Sequence, residues 1–170
     1  MSRRYRDVEE LTAAHELSQF DCGSDAQSAW LREHALQAHR SGTSRVYVVR
    51  KVADNHVVGF HALATGSVLP ADAPERITRG TGRYDVPVIV LTRLGVDRSE
   101  QGQGLGRALV VHALRQVVNV ADIVGVRALL IQAEDETARS FYDRLAEFEA
   151  SPTDPLHLFL LLKDIRRTLA

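Results

Sequence analysis

Residues 101–107 read Gln101-Gly102-Gln103-Gly104-Leu105-Gly106-Arg107 and join two regular patterns. An apolar run from Val86 to Val96 ends just before them, and apolar residues at helical spacing begin at Leu105. Glycines allow consecutive backbone N–H groups to point toward one place, because no Cβ atom stands in the way. The positive end of the helix dipole would lie behind those groups. This order of strand, loop and helix predicts a phosphate-binding site, and the alternative is an ordinary glycine-rich turn.

Length and composition indicate a single globular domain over residues 1–170. The chain is 45% hydrophobic and 25% charged, so it can build a core without disulfides. Cys22 is the only cysteine, which excludes an internal disulfide framework and favours a reducing compartment. The first residues lack the apolar run of a secretory signal, and no apolar segment is long enough to cross a bilayer. We therefore expect a cytoplasmic protein without membrane contact.

Charge and spacing weigh against several classes of binding site. The formal net charge is −1 at pH 7, so the overall basicity that usually accompanies nucleic-acid binding is absent. Local arginine clusters are typical of a solvated surface when taken singly. Seven histidines are scattered without metal-ligand spacing, so we expect no metal site. Gly102-x-Gly104-x-x-Arg107 lacks the third glycine of the dinucleotide fingerprint, which argues against a nicotinamide site.

The first half of the chain predicts two helices, a hairpin and a long loop. Asp54-Asn55 separates two β-rich runs, as expected for a hairpin, and prolines and glycines crowd the segment that follows. The predicted ranges are helices at Val8 to Leu17 and Ser24 to Arg40, strands at Arg45 to Lys51 and Val57 to Leu63, and a loop from Gly66 to Asp85.

From Val86 onward, predicted strands alternate with helices. Val86 to Val96 is almost continuously apolar, which is typical of a central strand covered on both faces. Gly95 indicates a bulge or a close approach to the backbone. The remaining elements are a helix from Leu105 that Gly125 ends, a strand at Ala128 to Gln132, a helix capped by Asp135 that carries Ala138 to Leu145, and a strand at Leu156 to Leu162 followed by a short charged tail. Together these elements predict an α/β fold.

Two sequence patterns resemble the GNAT family of N-acetyltransferases. One is Gln101-x-x-Gly104-x-Gly106 after a strand that ends Leu94-Gly95-Val96-Asp97, and the other is Asp135-x-x-Ala138-x-x-Phe141-Tyr142. The resemblance implies a mixed, mostly antiparallel central sheet that is flanked by helices and splayed at an acetyl-CoA site. Asp135 stands where the family usually has asparagine, and the run from Tyr142 to Phe148 has alanine for the usual glycine and one additional residue.

Further segments resemble, more narrowly, the acetyltransferase toxins of bacterial toxin–antitoxin operons. They are Phe20-Asp21-Cys22-Gly23, Trp30-Leu31, Ser44-Arg45-Val46-Tyr47-Val48-Val49, Ala62-Leu63-Ala64-Thr65-Gly66-Ser67-Val68 and Ser151-Pro152-Thr153-Asp154-Pro155-Leu156. This resemblance implies a toxin that acetylates the amino group of aminoacyl-tRNA and stops translation. It further implies neutralisation by a small ribbon-helix-helix antitoxin and a homodimer with a joint basic surface.

The glycine loop and the end of the preceding strand form the predicted acetyl-CoA site. Backbone N–H groups from Gln103 to Arg107 would donate to the pyrophosphate. The amides of the pantetheine arm would pair with the backbone from Leu94 to Val96 as an added strand does, which gives Gly95 a function. The complete predicted set is Leu94, Gly95, Val96, Gln101, Gly102, Gln103, Gly104, Leu105, Gly106, Arg107 and Asp135.

Tyr142 is the predicted general acid. A phenol with an ordinary pKa of about 10 is protonated at neutral pH and can donate to a departing thiolate. The alternative is that Tyr142 only packs its ring in the core. The backbone N–H of Val96 would polarise the thioester carbonyl. No strong base is needed, because an aminoacyl ester's amine has a pKa below the value of about 8 for an α-amino group.

Arg45, Arg83 and Arg93 are the predicted contacts to RNA phosphates. Two other functions stay open at this point. The same scaffold could acetylate a small-molecule or protein amine, or the chain could bind acetyl-CoA as a regulator without turnover. Dependence of thioester cleavage on charged tRNA separates the three.

Overall fold

A computed structural model describes residues 3–170, and these form seven strands and six α-helices. The strands are β1 (Glu9–Glu10), β2 (Arg45–Arg50), β3 (Val57–Val68), β4 (Val86–Val96), β5 (Ala128–Gln132), β6 (Glu149–Ala150) and β7 (His157–Leu161). The helices are α1 (Asp25–Glu33), α2 (Ala35–Ser41), α3 (Glu75–Thr78), α4 (Leu105–Ala121), α5 (Glu136–Asp143) and α6 (Leu162–Leu169). Two 3-10 turns cover Pro70–Asp72 and Arg98–Glu100. Within the described part of the chain, no helix is long and apolar enough to span a bilayer.

The strands belong to one mixed sheet in the order β1-β2-β3-β4-β5-β7-β6. Antiparallel pairing joins β1 to β2, β2 to β3, β5 to β7 and β6 to β7. Strands β4 and β5 are parallel, because the chain returns through α4 before it re-enters the sheet. The mixed, mostly antiparallel sheet that the family resemblance implies is thereby confirmed.

The chain packs as two compact units. The first contains the residues up to Ala64 together with Arg93–His112, and the second contains Thr65–Thr92 together with Ala113–Ala170. The end of β4, the glycine loop and the first turns of α4 therefore belong to the first unit. Helix α5 with Tyr142 belongs to the second.

In the first unit, apolar residues of α1 pack against the β2–β3 hairpin. Phe20 and Phe60 meet edge to face, with their ring centroids 5.5 Å apart, and Leu31 of α1 is fully buried in the same cluster. Ser24 begins α1, since its side chain accepts a hydrogen bond from the backbone N–H of Gln27. This packing fixes the segment from Phe20 to Ser24 beside the strands.

In the second unit, residues 88–91 of β4 pair in parallel with residues 128–131 of β5. The core beneath this pairing is formed by Ile77 of α3 with apolar residues of β4, β5 and β7. The Arg127 guanidinium fixes the C-terminal end of α3, because it donates to the backbone carbonyls of Ile77 and Arg79 at 2.8 and 3.0 Å. The unit thus orders much of the stretch predicted as a loop.

Two predicted elements of the first half need correction. The predicted helix from Val8 to Leu17 is wrong: β1 lies there, and the backbone N–H of Leu11 donates to the carbonyl of Val46 at 3.0 Å. Pairing with the edge of the sheet satisfies that backbone better than a short helix would. The predicted helix from Ser24 to Arg40 is divided into α1 and α2 at His34, where φ is −123°.

Other differences concern where elements end. Strand β3 continues to Val68, and α3 lies inside the predicted loop from Gly66 to Asp85. Helix α4 ends at Ala121, before Gly125, and the charged tail forms α6, which buries Ile165. The strand predicted at Leu156 to Leu162 is β7, and the two-residue β6 beside it was not predicted. The predicted strand boundaries of β4 and β5 are confirmed.

Candidate active site

The glycine loop has the backbone conformation that a phosphate cradle requires. Gly102 and Gly104 have φ values of 81° and 85°, in the left-handed region where other residues are strained. Helix α4 begins at Leu105, and the backbone N–H of Ala108 makes the hydrogen bond to the carbonyl of Gly104 at 3.1 Å. The N–H groups of Leu105 to Arg107 precede this bond and have no acceptor within the helix. An anion at this end of the 17-residue helix would meet both free donors and the positive end of the dipole.

Side-chain hydrogen bonds fix the segment that leads from β4 into the glycine loop. The Gln101 side-chain amide donates to the backbone carbonyls of Cys22 and Val96 at 3.1 and 3.0 Å. Asp97 caps the 3-10 turn that follows β4 by accepting from the Ser99 backbone N–H at 3.1 Å. Gln101 is itself exposed, and these two hydrogen bonds of its side chain are to the protein's own backbone. Contact between Gln101 and acetyl-CoA stays a prediction.

Gly95 is required by the packing of the protein itself. A Cβ atom built on Gly95 would lie 3.0 Å from Cε1 of Phe60 and 3.1 Å from Sγ of Cys22. Phe60 and Cys22 therefore occupy the space on that side of the strand, and the close approach indicated by the sequence is internal. Leu94 and Val96, on either side of Gly95, pack against the apolar cluster at the start of α4. The backbone of these three residues remains the predicted partner of the pantetheine arm.

Tyr142 lies in the second unit, near the end of α5, with 6% of its surface exposed. Its ring packs edge-on against Phe141 and Phe148, at centroid distances of 5.2 and 6.4 Å. Burial raises the pKa of the phenol above its ordinary value, and the nearby negative charge of Glu134 raises it further. The phenol therefore stays protonated at neutral pH, as a proton donor must.

Asp135 is the N-cap of α5, as the sequence predicts. Its Oδ1 accepts a hydrogen bond from the backbone N–H of Ala138 at 2.8 Å, which is the geometry of a helix N-cap. The carboxylate is thus used to cap the helix. Contact between Asp135 and acetyl-CoA stays a prediction.

The three arginines predicted to contact RNA have different surroundings. Arg45 is exposed at the start of β2, and its guanidinium lies 3.9 Å from the Glu10 carboxylate. Arg83 is exposed in the segment before β4. Arg93 is partly buried: its guanidinium lies over the Trp30 ring, 4.8 Å from the centroid, and donates to Gln27 at 3.1 Å. Arg93 is therefore held in the first unit by α1, whereas Arg45 and Arg83 present their charges to solvent.

Sequence reasoning missed two groups of residues around the loop. Glu100 is 2% exposed and holds Arg4 and Tyr5, although a charged residue in a polar stretch is usually solvated. Asp21 also joins the segment after β4: its backbone N–H donates to Asp97 at 2.9 Å and its carbonyl accepts from the Arg98 N–H at 2.8 Å. No local pattern identifies either contact, because the partners are more than 70 residues apart.

A buried histidine was also missed. His61 on β3 lies 2.9 Å from the ring of His112 on α4, and Tyr47 packs against both rings. Burial lowers the pKa of His61 to about 3, so its ring is neutral. Over residues 3–170, no group of three or more His, Cys, Asp or Glu side chains is placed to hold a metal ion.

Comparison with known proteins gives a consistent set of relatives. The acetyltransferase (GNAT) family pattern matches residues 9–148. A tRNA-acetylating toxin of Mycobacterium tuberculosis is 47% identical over 164 residues, which are 96% of this chain and 93% of the toxin.

Solved structures of toxins match over similar lengths. The structure of AtaT complexed with acetyl-methionyl-tRNAfMet is 30% identical, with a TM-score of 0.87, and the match covers 98% of this chain and 99% of AtaT. A mutant AtaT bound to acetyl-CoA and the C-terminus of the antitoxin AtaR is 29% identical, with a TM-score of 0.82 and coverage of 97% and 98%. A family pattern that matches most of the chain, and a relative of 47% identity over nearly all of it, establish that this protein belongs to the acetyltransferase (GNAT) family.

Proposed function

We propose that this protein is an N-acetyltransferase toxin that transfers the acetyl group of acetyl-CoA to the amino group of aminoacyl-tRNA and so blocks translation. The observation that carries this proposal is the 47% identity to a tRNA-acetylating toxin over 96% of the chain. The loop proposed to bind acetyl-CoA supports this proposal, because Gly102 and Gly104 both have left-handed φ values. In this proposal, residues 1–170 act as one N-acetyltransferase domain.

The glycine loop is the proposed site for the pyrophosphate of acetyl-CoA. The positive φ values of Gly102 and Gly104 turn the chain so that the N–H groups at the start of α4 stand together. Several N–H donors at one helix end suit a diphosphate, because a diphosphate offers several acceptor oxygens. When bound, acetyl-CoA supplies an acetyl group activated as a thioester. The backbone from Leu94 to Val96 is proposed to hold the pantetheine amides.

The chemical step needs a hydrogen-bond donor for the carbonyl oxygen and a proton donor for the thiolate. The backbone N–H of Val96 is proposed to donate to the carbonyl oxygen as negative charge develops there. As the amine nitrogen bonds to the carbonyl carbon and the C–S bond breaks, Tyr142 is proposed to give its proton to the departing thiolate, and the proton that the nitrogen loses in forming the amide returns to the phenolate. The phenol is protonated at neutral pH, and burial raises its pKa further. The acceptor amine needs no strong base, because an appreciable fraction of an amine with a pKa below about 8 is neutral at pH 7.

Recognition of charged tRNA is proposed to use local arginines, since the net charge of the chain is −1. Arg45 and Arg83 have exposed guanidinium groups that can reach phosphates. The Arg93 guanidinium lies over Trp30 and donates to Gln27, so its proposed contact with RNA would be made from this fixed position. A homodimer would bring two such sets of arginines into one surface. We further propose that a ribbon-helix-helix antitoxin binds and neutralises this protein, and that the protein acts in the cytoplasm.

Release of free CoA thiol in the presence of different acceptors tests the proposed function. We expect release with charged tRNA, and none with the same tRNA after its amino acid has been removed. A small polyamine or a lysine-rich protein supporting equal release would favour acetylation of another amine. Acetyl-CoA binding with no release under any condition would favour a regulator. The Tyr142→Phe variant should release much less CoA thiol than the wild type if Tyr142 is the acid. Tyr84→Phe is a suitable control, because Tyr84 is 83% exposed.

A further inference from the structure

Glu100 is a buried carboxylate that the proposed chemistry does not use. It is the last residue of the 3-10 turn Arg98–Glu100 and directly precedes the glycine loop at Gln101. Only 2% of its surface is exposed. A charge without water is costly unless opposite charges and hydrogen-bond donors surround it, so the position of Glu100 depends on its partners.

The partners of Glu100 come from the beginning of the chain. Arg4 donates from Nε to Oε1 at 2.8 Å and from Nη2 to Oε2 at 3.1 Å, in a two-point pair. The Tyr5 hydroxyl donates to Oε1 at 2.7 Å, and Nζ of Lys51 lies 3.7 Å from Oε2. The hydrogen bonds from Arg4 and Tyr5 hold the pKa of Glu100 at about 2, so the carboxylate is ionised throughout the physiological range.

The backbone of residues 4–6 is itself fixed against the sheet. The carbonyl of Arg4 accepts from the Val52 N–H at 3.0 Å, and the Arg6 N–H donates to the Arg50 carbonyl at 3.0 Å. Tyr5 forms a β-bridge with Lys51 between these two bonds. Arg4 and Tyr5 therefore reach Glu100 from a fixed backbone, and we call residues 4–6 the N-terminal strap.

We propose that the N-terminal strap positions the acetyl-CoA loop through Glu100, with Arg4 and Tyr5 as positioning residues for cofactor binding. The inference rests on the proposed function, since it requires the glycine loop to hold acetyl-CoA. If Arg4 or Tyr5 is lost, the buried carboxylate loses donors that it needs, and a shift of the 3-10 turn toward solvent would let water replace them. Gly102 and Gly104 follow within four residues, so the N–H groups of the loop move with the turn.

Calorimetric binding of acetyl-CoA tests this role with a matched control. Arg4→Ala should raise the Kd for acetyl-CoA about tenfold, and Tyr5→Phe should raise it by less, because the two-point pair remains. Arg4→Lys should restore part of the affinity. Arg3→Ala is the matched control, because it removes the same charge one residue before Arg4. The exposed Arg3 pairs with Asp7, so the Kd of Arg3→Ala for acetyl-CoA should equal that of the wild type. Circular dichroism below the melting temperature checks that each variant is folded.

Kinetics and a second-site change separate positioning from general destabilisation. In Arg4→Ala the KM for acetyl-CoA should rise, while kcat and the KM for charged tRNA stay within about twofold of wild type. Adding Glu100→Gln to Arg4→Ala should recover affinity, because a neutral amide leaves no unpaired charge.

Two results would refute the role of the N-terminal strap, and a third would refute the proposed acetyl-CoA site. An unchanged Kd in folded Arg4→Ala, while Gly104→Asp abolishes binding, would refute the strap and leave the proposed site intact. A loss that falls equally on kcat and both KM values would also refute it. Unchanged binding in Gly104→Asp would refute the proposed site itself.

Discussion

Replacing Tyr142 with phenylalanine removes one hydroxyl group and little else. The ring is buried between Phe141 and Phe148, and phenylalanine can keep both contacts, so we expect a stability change of less than about 1.5 kcal/mol. Because burial raises the phenol's pKa above about 10, fewer than roughly one tyrosine in a thousand is ionised at pH 7. The residue lost is therefore a fully protonated acid.

Loss of a positioned acid slows a reaction by about 10²-fold to 10⁴-fold. At about 1.36 kcal/mol for each factor of ten, the lower limit corresponds to about 2.7 kcal/mol of the activation barrier. We expect kcat for acetylation of charged tRNA to fall by at least this factor in Tyr142→Phe. The Kd for acetyl-CoA and the melting temperature should stay close to wild type.

Single-turnover measurements with saturating acetyl-CoA give this rate without contributions from product release. Tyr84→Phe, at an exposed tyrosine, should keep the wild-type rate. A folded Tyr142→Phe variant with a rate within threefold of wild type would refute the assignment of Tyr142 as the acid. The ring would then serve packing alone.

The remaining predictions concern the loop, the strand end, acid stability and RNA. Gly104→Asp should abolish acetyl-CoA binding in calorimetry, because it places a strained residue and a negative charge where phosphate must approach; unchanged affinity would contradict the cradle. Gly95→Ala should lower stability by about 1–3 kcal/mol in urea unfolding, and Cys22→Ala should recover part of it, since the added methyl meets Sγ at 3.1 Å; additive losses would contradict the clash. The depressed pKa of Glu100 stabilises the fold above about pH 4.5, and this stability is lost as pH falls toward about 2, so Glu100→Gln should flatten acid unfolding over that range. Arg83→Glu should weaken binding of charged tRNA, lower its salt dependence by about one unit of slope and leave acetyl-CoA affinity unchanged; an unaltered slope would exclude Arg83 as a phosphate contact.

Several elements were predictable because their determinants are local. Strand β4 was placed correctly, since an unbroken apolar run over Val86–Val96 is a strong pattern for a buried strand. The cap at Asp135 and the glycine loop were also predictable, because each depends on residue types within a few positions of one another. The left-handed residues at 102 and 104 are both glycine, as the loop requires.

The failures arose where distant contacts outweigh local preference. The segment from Val8 to Leu17 has apolar spacing that suits a helix, but its backbone pairs with β2 at the sheet edge. At Gly95 the sequence could not show that Phe60 and Cys22 fill the space on one side of the strand, and the contact of its backbone with the cofactor stays a prediction. The burial of Glu100 was not predicted, because its partners Arg4 and Tyr5 lie about 95 residues earlier in the sequence.

Mass spectrometry of bulk charged tRNA tests the central claim most directly. The tRNA is incubated with the protein and acetyl-CoA, and the amino acids are then released from it by mild base and weighed. We expect at least one amino acid to gain a single acetyl group on its α-amine, with a gain reduced by about 10²-fold or more over the same time in Tyr142→Phe and none in Gly104→Asp. If no released amino acid is acetylated while free CoA thiol still accumulates, the acetyl group goes to another acceptor and the proposed function is wrong.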